Sequence, residues 1–338
     1  MSKYKIAAVY KFVTLADFEA LRQPLIDFCV CHDIKGTLLL ADEGINGTVA
    51  GSSSSIDAFT AYLKTDPLFG ARFEDIDLKY SFSDKAPFLR MKVRLKQEIV
   101  TLRAVEANPA IKAGTYVSSD KWNEIISDPD MTIIDTRNDY EVEIGTFPGA
   151  LDPEMSSFTD FKDWVAANLD PQKNKKVAMF CTGGIRCEKA SSYMLAHGFD
   201  EVYHLQGGIL RYLETQPAEK SMWRGGCFVF DERVAVGADL APLDYLLCHS
   251  CRHPLSPADR EDPDYELGVQ CKYCVNERSD KERSRARERQ KQMRLAEEAG
   301  IAHLGDQASV DAARQAEIKK RSREVSRQLS LSENAKKS

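Results

Sequence analysis

The sequence has no long hydrophobic segment and no internal repeat. None of its apolar runs approaches the roughly 20 residues of a membrane-spanning helix, and its first residues alternate like a strand rather than forming the apolar stretch of a secretory signal. No self-similarity recurs at a fixed period, which argues against a solenoid. We therefore expect a cytoplasmic protein with no membrane partner. In that compartment its nine cysteines indicate metal binding and catalysis rather than disulfides.

Familiar cofactor motifs are also missing. No GxGxxG follows a predicted strand, so we find no flavin or nicotinamide site. The six histidines offer no clear set of two histidines and one carboxylate for iron. Any chemistry in this chain must therefore depend on its own side chains and on its substrates.

The 338 residues are too many for one ordinary core, and two or three domains are expected. An acidic body precedes a basic tail, in which residues 281–338 hold 15 Lys and Arg against 9 Asp and Glu. Composition and periodicity divide the chain into five segments: 1–105, 106–115 as a linker, 116–225, 226–280, and a charged, helical or partly disordered tail at 281–338.

The first segment alternates between strand and helix patterns in the order βαββαβ, which predicts a ferredoxin-like module. Its last strand is predicted over Met91–Leu102, and a turn, DEGINGT at 42–48, links the second strand to the third. The segment from 116 alternates strands with helices, which predicts a parallel α/β sheet. Ligands of such sheets lie beyond the carboxyl ends of the strands.

The run VAMFCTGGIRC, Val177–Cys187, is the most informative stretch. An apolar strand delivers Cys181 to a glycine-rich loop, and a helix pattern follows. Inward-pointing N–H groups, the helix N-terminus and Arg186 would all favour the thiolate, which is the nucleophilic form of cysteine. We predict that Cys181 and Arg186 are catalytic. The cradle around the sulfur consists of the remaining loop residues: Thr182, Gly183, Gly184 and Ile185.

Two further features of this segment have structural and chemical interpretations. Cys187 either packs in the core or serves as a resolving thiol for an oxidised Cys181. Asp135 and Arg137, at the end of an earlier strand, are interpreted as a scaffold pair.

Four later cysteines have metal-ligand spacing. Cys248 and Cys251 form one CxxC pair, Cys271 and Cys274 form another, and 19 residues separate the two pairs. Four thiolates complete a tetrahedron, so we predict a closed, structural zinc site. A redox-active role for the CxxC pairs is the alternative, and such pairs normally lie in a βαβ pattern.

The segment from 116 resembles a rhodanese domain. IIDTRNDYEVEIGTFPGA, at 133–150, is similar to the opening signature of that family, CTGGIR to its active-site loop, and LQGGI, at 205–209, to its closing turn. The resemblance implies that Cys181 carries persulfide sulfur. The six-residue loop is similar to that of sulfur-handling members, since the phosphatase relatives have one residue more.

DEGINGT, CTGGIRC and the CHSC segment together resemble one bacterial family, the rhodanese-fold tRNA uridine hydroxylases. The resemblance implies hydroxylation of the wobble uridine at position 34 to 5-hydroxyuridine, with molecular oxygen as co-substrate, tRNA as partner and Cys181 as the essential thiol. The alternative function is a plain sulfurtransferase. A tRNA adaptor without catalysis and a phosphatase are weaker alternatives.

The N-terminal segment has basic residues interleaved with Phe82 and Phe88, a pattern that suits phosphates and splayed bases but also an ordinary solvated strand. The DEGINGT turn is either structural or faces a nucleotide. The basic residues are Lys79, Lys85, Arg90, Lys92, Arg94 and Lys96. For the chemistry, two routes remain open: Cys181 adds to C6 of the uracil, or an oxidised sulfur on Cys181 delivers the oxygen.

Overall fold

The computed structural model describes residues 3–76 and 78–298. These form two compact units, one of residues up to 248 with 252–262, the other of 249–251 with 263–298. Within the described ranges, no helix has the length and apolar character to cross a membrane. The predicted tail beyond 298 lies outside the described residues.

The N-terminal part is the predicted βαββαβ module with one additional strand. The sheet has the order β4-β1-β3-β2-β5, in which β5 is an edge strand parallel to β2. The expectation of a ferredoxin-like module is confirmed. Its elements are β1 Tyr4–Phe12, α1 Phe18–Cys31, β2 Lys35–Ala41, β3 Gly44–Gly51, α2 Ser53–Thr65, a 3₁₀ turn Gly70–Phe73, β4 Leu78–Ser83 and β5 Met91–Leu95.

The last of these strands is shorter than predicted. β5 ends at Leu95, because the chain then turns back on the side chain of Glu98. That carboxylate accepts hydrogen bonds from the backbone N–H groups of Leu102 and Arg103. The apolar residues up to Leu102 therefore belong to a buried loop.

The two faces of this sheet have different environments. Alternating residues such as Val9, Leu38 and Val49 pack in a core with residues of α1 and α2. Their neighbours along the strands, such as Ala8 and Thr48, point to the opposite face, which no helix of the N-terminal module covers. We call this second surface the open face.

The central part is the predicted parallel α/β domain. Its four strands have the order β6-β10-β9-β7 and are all parallel. Helices cover both faces: Met179 packs in one core with residues of α5 and α6, and Phe180 in another with residues of α3 and α7. The elements are β6 Thr115–Val117, α3 Ser119–Ile126, β7 Met131–Asp135, α4 Asp139–Val142, β8 Gly145–Thr146, a 3₁₀ turn Phe158–Asp160, α5 Phe161–Asn168, β9 Lys176–Phe180, α6 Ile185–Ala196, β10 Glu201–Leu205 and α7 Gly208–Thr215.

The remaining described chain has short strands and turns, then one long helix. The strands pair as β8 with β11, β12 with β13, and β14 with β15. The helix is the first part of the predicted charged tail. The elements are 3₁₀ turns Ala218–Lys220, Ala238–Leu240 and Ala258–Arg260, β11 Arg224–Gly225, β12 Cys227–Phe228, β13 Ala235–Val236, β14 Leu246–Leu247, β15 Pro254–Leu255 and α8 Asp280–Glu298.

Candidate active site

Cys181 lies directly after β9 and four residues before α6 begins at Ile185. Its side chain is buried, and its Sγ accepts a hydrogen bond from the Gly184 N–H at 3.1 Å. Gly184 is the N-cap of α6 and has φ of 101°, a conformation that glycine adopts without strain. The sulfur therefore lies at a helix N-terminus with N–H groups directed at it.

This environment favours the thiolate. Burial acts to raise the pKa of Cys181. Hydrogen bonds from the Cys187 side chain and from the Cys187 and Gly184 N–H groups, together with the charge of Arg186, outweigh burial and lower the pKa to about 6. At neutral pH the sulfur is therefore mostly anionic, as a nucleophile or sulfur carrier requires.

Arg186 is held by a residue that the sequence analysis missed. Its guanidinium donates two hydrogen bonds of 2.7 Å to the two carboxylate oxygens of Glu141, which also accepts one from Thr182 at 3.2 Å. Despite burial, the charge of Arg186 keeps the pKa of Glu141 below its usual value. Arg186 thus anchors the loop through Glu141, and its charge also lowers the pKa of Cys181. In the sequence, Glu141 is marked only as the last residue of a capping-box pattern, Asn138-x-x-Glu141, which indicates a helix start and not a pairing with Arg186.

Cys187 is buried in the same core as Cys181, and its Sγ lies 3.2 Å from the Thr136 hydroxyl. Burial raises the pKa of Cys187 well above that of an ordinary thiol. Cys187 therefore acts as a neutral donor to the neighbouring thiolate.

The closing turn LQGGI holds the loop from the other side. The N–H of Ile209 donates to the Cys181 carbonyl at 3.0 Å, and that of Leu210 to the Thr182 carbonyl at 3.1 Å. A Cβ on Gly208 would lie 2.5 Å from the Cys181 carbonyl oxygen, so this approach requires glycine. The conformation of the reactive loop is thus fixed by two segments distant in sequence.

Asp135 and Arg137 form a buried ion pair below the site. Arg137 donates to both oxygens of Asp135 and to the carbonyls of Glu141 and Gly145. Neither side chain is exposed. Their geometry fits the scaffold role expected from the sequence.

The N-terminal module supplies a second wall of the site, which the sequence analysis did not identify. The Tyr10 hydroxyl lies 2.9 Å from the position that a Cβ on Gly184 would occupy, and it hydrogen-bonds to Glu188 on α6. Burial raises the pKa of Glu188. The Lys79 Nζ lies 4.9 Å from the centroid of the Tyr10 ring. These polar groups stand beside the Cys181 loop.

The DEGINGT segment connects the two modules; only its first two residues form the predicted turn, because β3 begins at Gly44. Glu43 accepts two hydrogen bonds from the buried Lys189 ammonium on α6, at 2.7 and 2.9 Å. Asn46 donates to the Ile99 carbonyl at 2.9 Å. The contacts of Glu43 thus give the start of this segment a structural role, whereas Asn46 and Thr48 line the cavity described next.

A cavity of about 530 Å³ lies between the open face and the Cys181 loop. Its volume is typical of small-molecule sites. The loop contributes Thr182, Gly183, Ile185 and Arg186, and the segment after β12 contributes Val229, Phe230, Asp231 and Arg233.

Two protein-family models match the N-terminal and central modules of this chain. Residues 4–99 match the UPF0176 acylphosphatase-like domain, and residues 118–215 match the rhodanese-like domain. The chain has the architecture of the tRNA uridine hydroxylase (UPF0176) family. The resemblance drawn from DEGINGT and CTGGIRC is therefore confirmed. This architecture supports a scaffold of the sulfurtransferase-like or tRNA-modifying kind.

The solved structures that are similar to this chain cover about a third of it. A rhodanese-like domain of the Anabaena sp. Alr3790 protein is 19% identical, covers 32% of this chain and 78% of its own, and has a TM-score of 0.28. Human single-domain sulfurtransferase TSTD1 is 21% identical, with 31% and 100% covered and a TM-score of 0.26. RPA3614 from Rhodopseudomonas palustris, described as a possible tyrosine phosphatase, is 21% identical, with 35% and 92% covered and a TM-score of 0.28.

The four predicted metal ligands come together. The Sγ atoms of Cys248, Cys251, Cys271 and Cys274 all lie within 4.8 Å of one another. Two of the separations are 3.7 and 3.9 Å, from Cys271 to Cys251 and to Cys274. Four thiolates about 2.3 Å from one ion in a tetrahedron would lie about 3.8 Å apart. The cluster therefore has the geometry to hold a metal ion such as zinc.

The basic residues that the sequence analysis singled out divide between several places. Lys79 is buried and lines the cavity, whereas Arg90 and Lys96 are exposed at the ends of β5. Phe88 also lines the cavity. Phe82 is exposed and lies on the face opposite Lys79, because it is an odd number of residues from Lys79 on β4.

Proposed function

We propose that this chain is an enzyme that hydroxylates the wobble uridine of tRNA, at position 34, to 5-hydroxyuridine. The observation that carries the proposal is that Cys181, whose pKa is lowered to about 6, stands in a loop that lines a cavity closed by a second module. Transfer of sulfur between small anions needs no such second wall. The family architecture supports a tRNA substrate.

The net reaction replaces C5–H by C5–OH. One oxygen atom of O₂ enters the base, and an external two-electron donor with two protons reduces the other atom to water. In the first of two routes, the Cys181 thiolate adds to C6, and the C5=C6 electron pair moves toward C5 and the O4 carbonyl. Arg186 and the Gly184 N–H hold the sulfur as the anion until the base arrives.

This reaction is tested on tRNA from a strain that lacks the gene. The strain is complemented with the wild type or with Cys181→Ala, and the nucleosides are identified by mass spectrometry. We expect 5-hydroxyuridine derivatives only with the wild type. Their persistence in the uncomplemented strain, with no second gene of this kind present, refutes the proposal.

The C6 route has its own test. Anticodon stem-loop RNA with 5-fluorouridine at the wobble position should form a covalent adduct with the wild-type protein, because fluorine cannot leave C5 as a proton does. Wild-type protein that turns over normal tRNA but forms no adduct argues for the alternative, oxygen delivery by an oxidised sulfur on Cys181.

A sulfurtransferase is the second candidate function. The six-residue loop and the persulfide-compatible cradle favour it directly. Purified protein assayed with thiosulfate and cyanide measures this activity. Fast turnover there, together with unmodified tRNA in the complementation experiment, would favour it over hydroxylation.

The metal held by the four cysteines is proposed to be zinc in a structural role. Four thiolate ligands fill a tetrahedral shell and leave no position for a substrate. The ion would fix the two CxxC turns in a segment with few apolar residues.

A further inference from the structure

Two rows of side chains run across the strands on the open face of the sheet. Backbone pairing aligns Lys79, Ala8, Thr48, Thr37 and Lys92 in one row, from one edge of the sheet to the other. Cross-strand partners in register point to the same side of a sheet. The middle three members are small, so the row has a basic residue at each edge and a shallow floor between.

The second row supplies larger side chains. It runs through Tyr10, Asn46, Leu39 and Arg94. The floor of the first row is thus bordered by an aromatic ring near the Cys181 loop and by a guanidinium at the edge strand. Apart from Lys92 and Arg94, the residues of both rows line the cavity.

The floor has hydrogen-bonding groups with no protein partner. Within the described part of the chain, the hydroxyls of Thr37 and Thr48 make no side-chain hydrogen bond, although both residues line the cavity. Such groups suit a planar ligand with donors and acceptors along its edge rather than an apolar ligand.

The opposite wall adds a second aromatic surface. Phe230 lines the cavity with 61% of its surface exposed, and its ring centroid lies 5.9 Å from the Arg186 guanidinium carbon. A large exposed aromatic ring facing a cavity is a common device for stacking an unpaired base.

Charge completes the description of the ligand. Among the described residues, Arg90, Lys92, Arg94 and Lys96 make no ion pair. Lys92 and Arg94 lie on one side of the edge strand, and Arg90 and Lys96 stand directly before and after it. Burial and the charges of Arg90 and Arg94 lower the pKa of Lys92, as expected where cations are clustered without counter-ions. An unbalanced basic row beside a polar pocket fits a phosphodiester strand with one base inserted.

We propose that the open face and the Cys181 loop together form a pocket for one flipped-out pyrimidine nucleotide of an RNA strand. Its base lies over the row of Ala8, Thr48 and Thr37 and stacks on Phe230, and the flanking phosphates lie along the basic row of β5. This inference rests on the proposed function for the identity of the RNA, and it assigns to the N-terminal module the recognition of the base.

The full-length protein is tested with anticodon stem-loop RNA carrying 4-thiouridine at the wobble position. Irradiation should cross-link the RNA to peptides that contain Tyr10 or Phe230, identified by mass spectrometry. Cross-links confined to residues outside the cavity overturn the proposal. Cross-linking at these peptides by a wild-type protein that produces no 5-hydroxyuridine in cells would support the pocket and refute the proposed reaction.

Two variants test the walls separately. Ala8→Phe fills the floor, and Phe230→Ala removes the stacking ring. We expect each to weaken RNA binding about 10-fold while the circular dichroism spectrum of the folded protein is retained. Ala71→Phe, at an exposed position of the same module outside the cavity, should bind like the wild type. Unchanged binding by both wall variants would overturn the inference.

Discussion

The Lys189 ammonium donates two hydrogen bonds to Glu43 and one of 2.5 Å to Glu98, across the boundary between the two modules. Lys189 is 1% exposed and lies on α6, two residues after Cys187. The helix that begins at the reactive loop is therefore tied to the N-terminal module by a three-member charge cluster. The wall opposite Cys181 depends on this connection.

Replacing Lys189 should weaken that connection. Lys189→Met leaves two neighbouring carboxylates without their cation, and breaking such a buried pair costs about 3 kcal/mol when some solvent reaches the carboxylates. We expect the free energy of unfolding in urea to fall by that amount, and tRNA modification to fall more than Cys181 alkylation. Lys173→Met, at an exposed surface position, is the control. Equal stability of both variants would contradict this account.

The acidity of Cys181 should be visible in its alkylation. The thiolate fraction rises with pH through the pKa, so the rate with iodoacetamide should be half-maximal near pH 6 and fall at lower pH. Peptide mass spectrometry separates Cys181 from the exposed Cys31, which serves as the internal control. A midpoint above pH 8 would refute the claim that the loop around Cys181 lowers its pKa.

Cys187→Ala tests the role of the neighbouring thiol. The variant removes a hydrogen bond that lowers the pKa of Cys181, so the alkylation midpoint should move to higher pH. A purely resolving Cys187 would instead leave the midpoint in place and change only the recovery of Cys181 after peroxide treatment.

Glu141→Gln separates the effect of the Glu141–Arg186 pair on stability from its effect on the pKa of Cys181. The neutral side chain leaves the guanidinium buried without its counter-charge, which should lower the free energy of unfolding by about 3–5 kcal/mol. In the folded fraction, the charge of Arg186 acts on Cys181 unopposed, so the alkylation midpoint should fall below that of the wild type. Glu154→Gln, at an exposed site, should change neither. A higher midpoint in Glu141→Gln would contradict the arrangement.

The sequence predicted those features that are carried by local patterns. Alternation predicted the strands, the CTGGIR loop predicted the position of Cys181, and the spacing of four cysteines predicted their cluster. Residues with partners far along the chain were missed. Lys189 resembles any surface lysine in the sequence, yet its partner Glu43 is 146 residues away, and only the packing of two modules brings them together. Tyr10 and Gly184 are likewise far apart in the sequence and are brought together only by the packing of the two modules.

The over-long prediction for β5 has a similar cause. Apolar residues after Leu95 continue the pattern of a strand, but a buried loop needs apolar residues too. The deciding group is the Glu98 carboxylate, which satisfies the N–H groups that a strand neighbour would otherwise bind. Periodicity alone does not distinguish these cases.

The geometry of the four-cysteine cluster predicts the metal content of the protein and the local stability of the segment around it. Purified protein should contain about one zinc per chain, because four thiolates complete one tetrahedral shell. Cys271→Ser should lose most of the zinc, since Cys271 is buried and its Sγ lies within 4 Å of two other ligands.

Loss of the ion should act locally. The segment 249–298 of Cys271→Ser should become more sensitive to trypsin, because the metal supplies much of the free energy that orders a region with few apolar residues. The alkylation profile of Cys181 should not change, since none of the four cysteines contributes to its pKa shift. Cys31→Ser, which removes an exposed thiol, should retain one zinc per chain. A metal-free wild-type protein with the same protease resistance would show that these sulfurs pack without an ion.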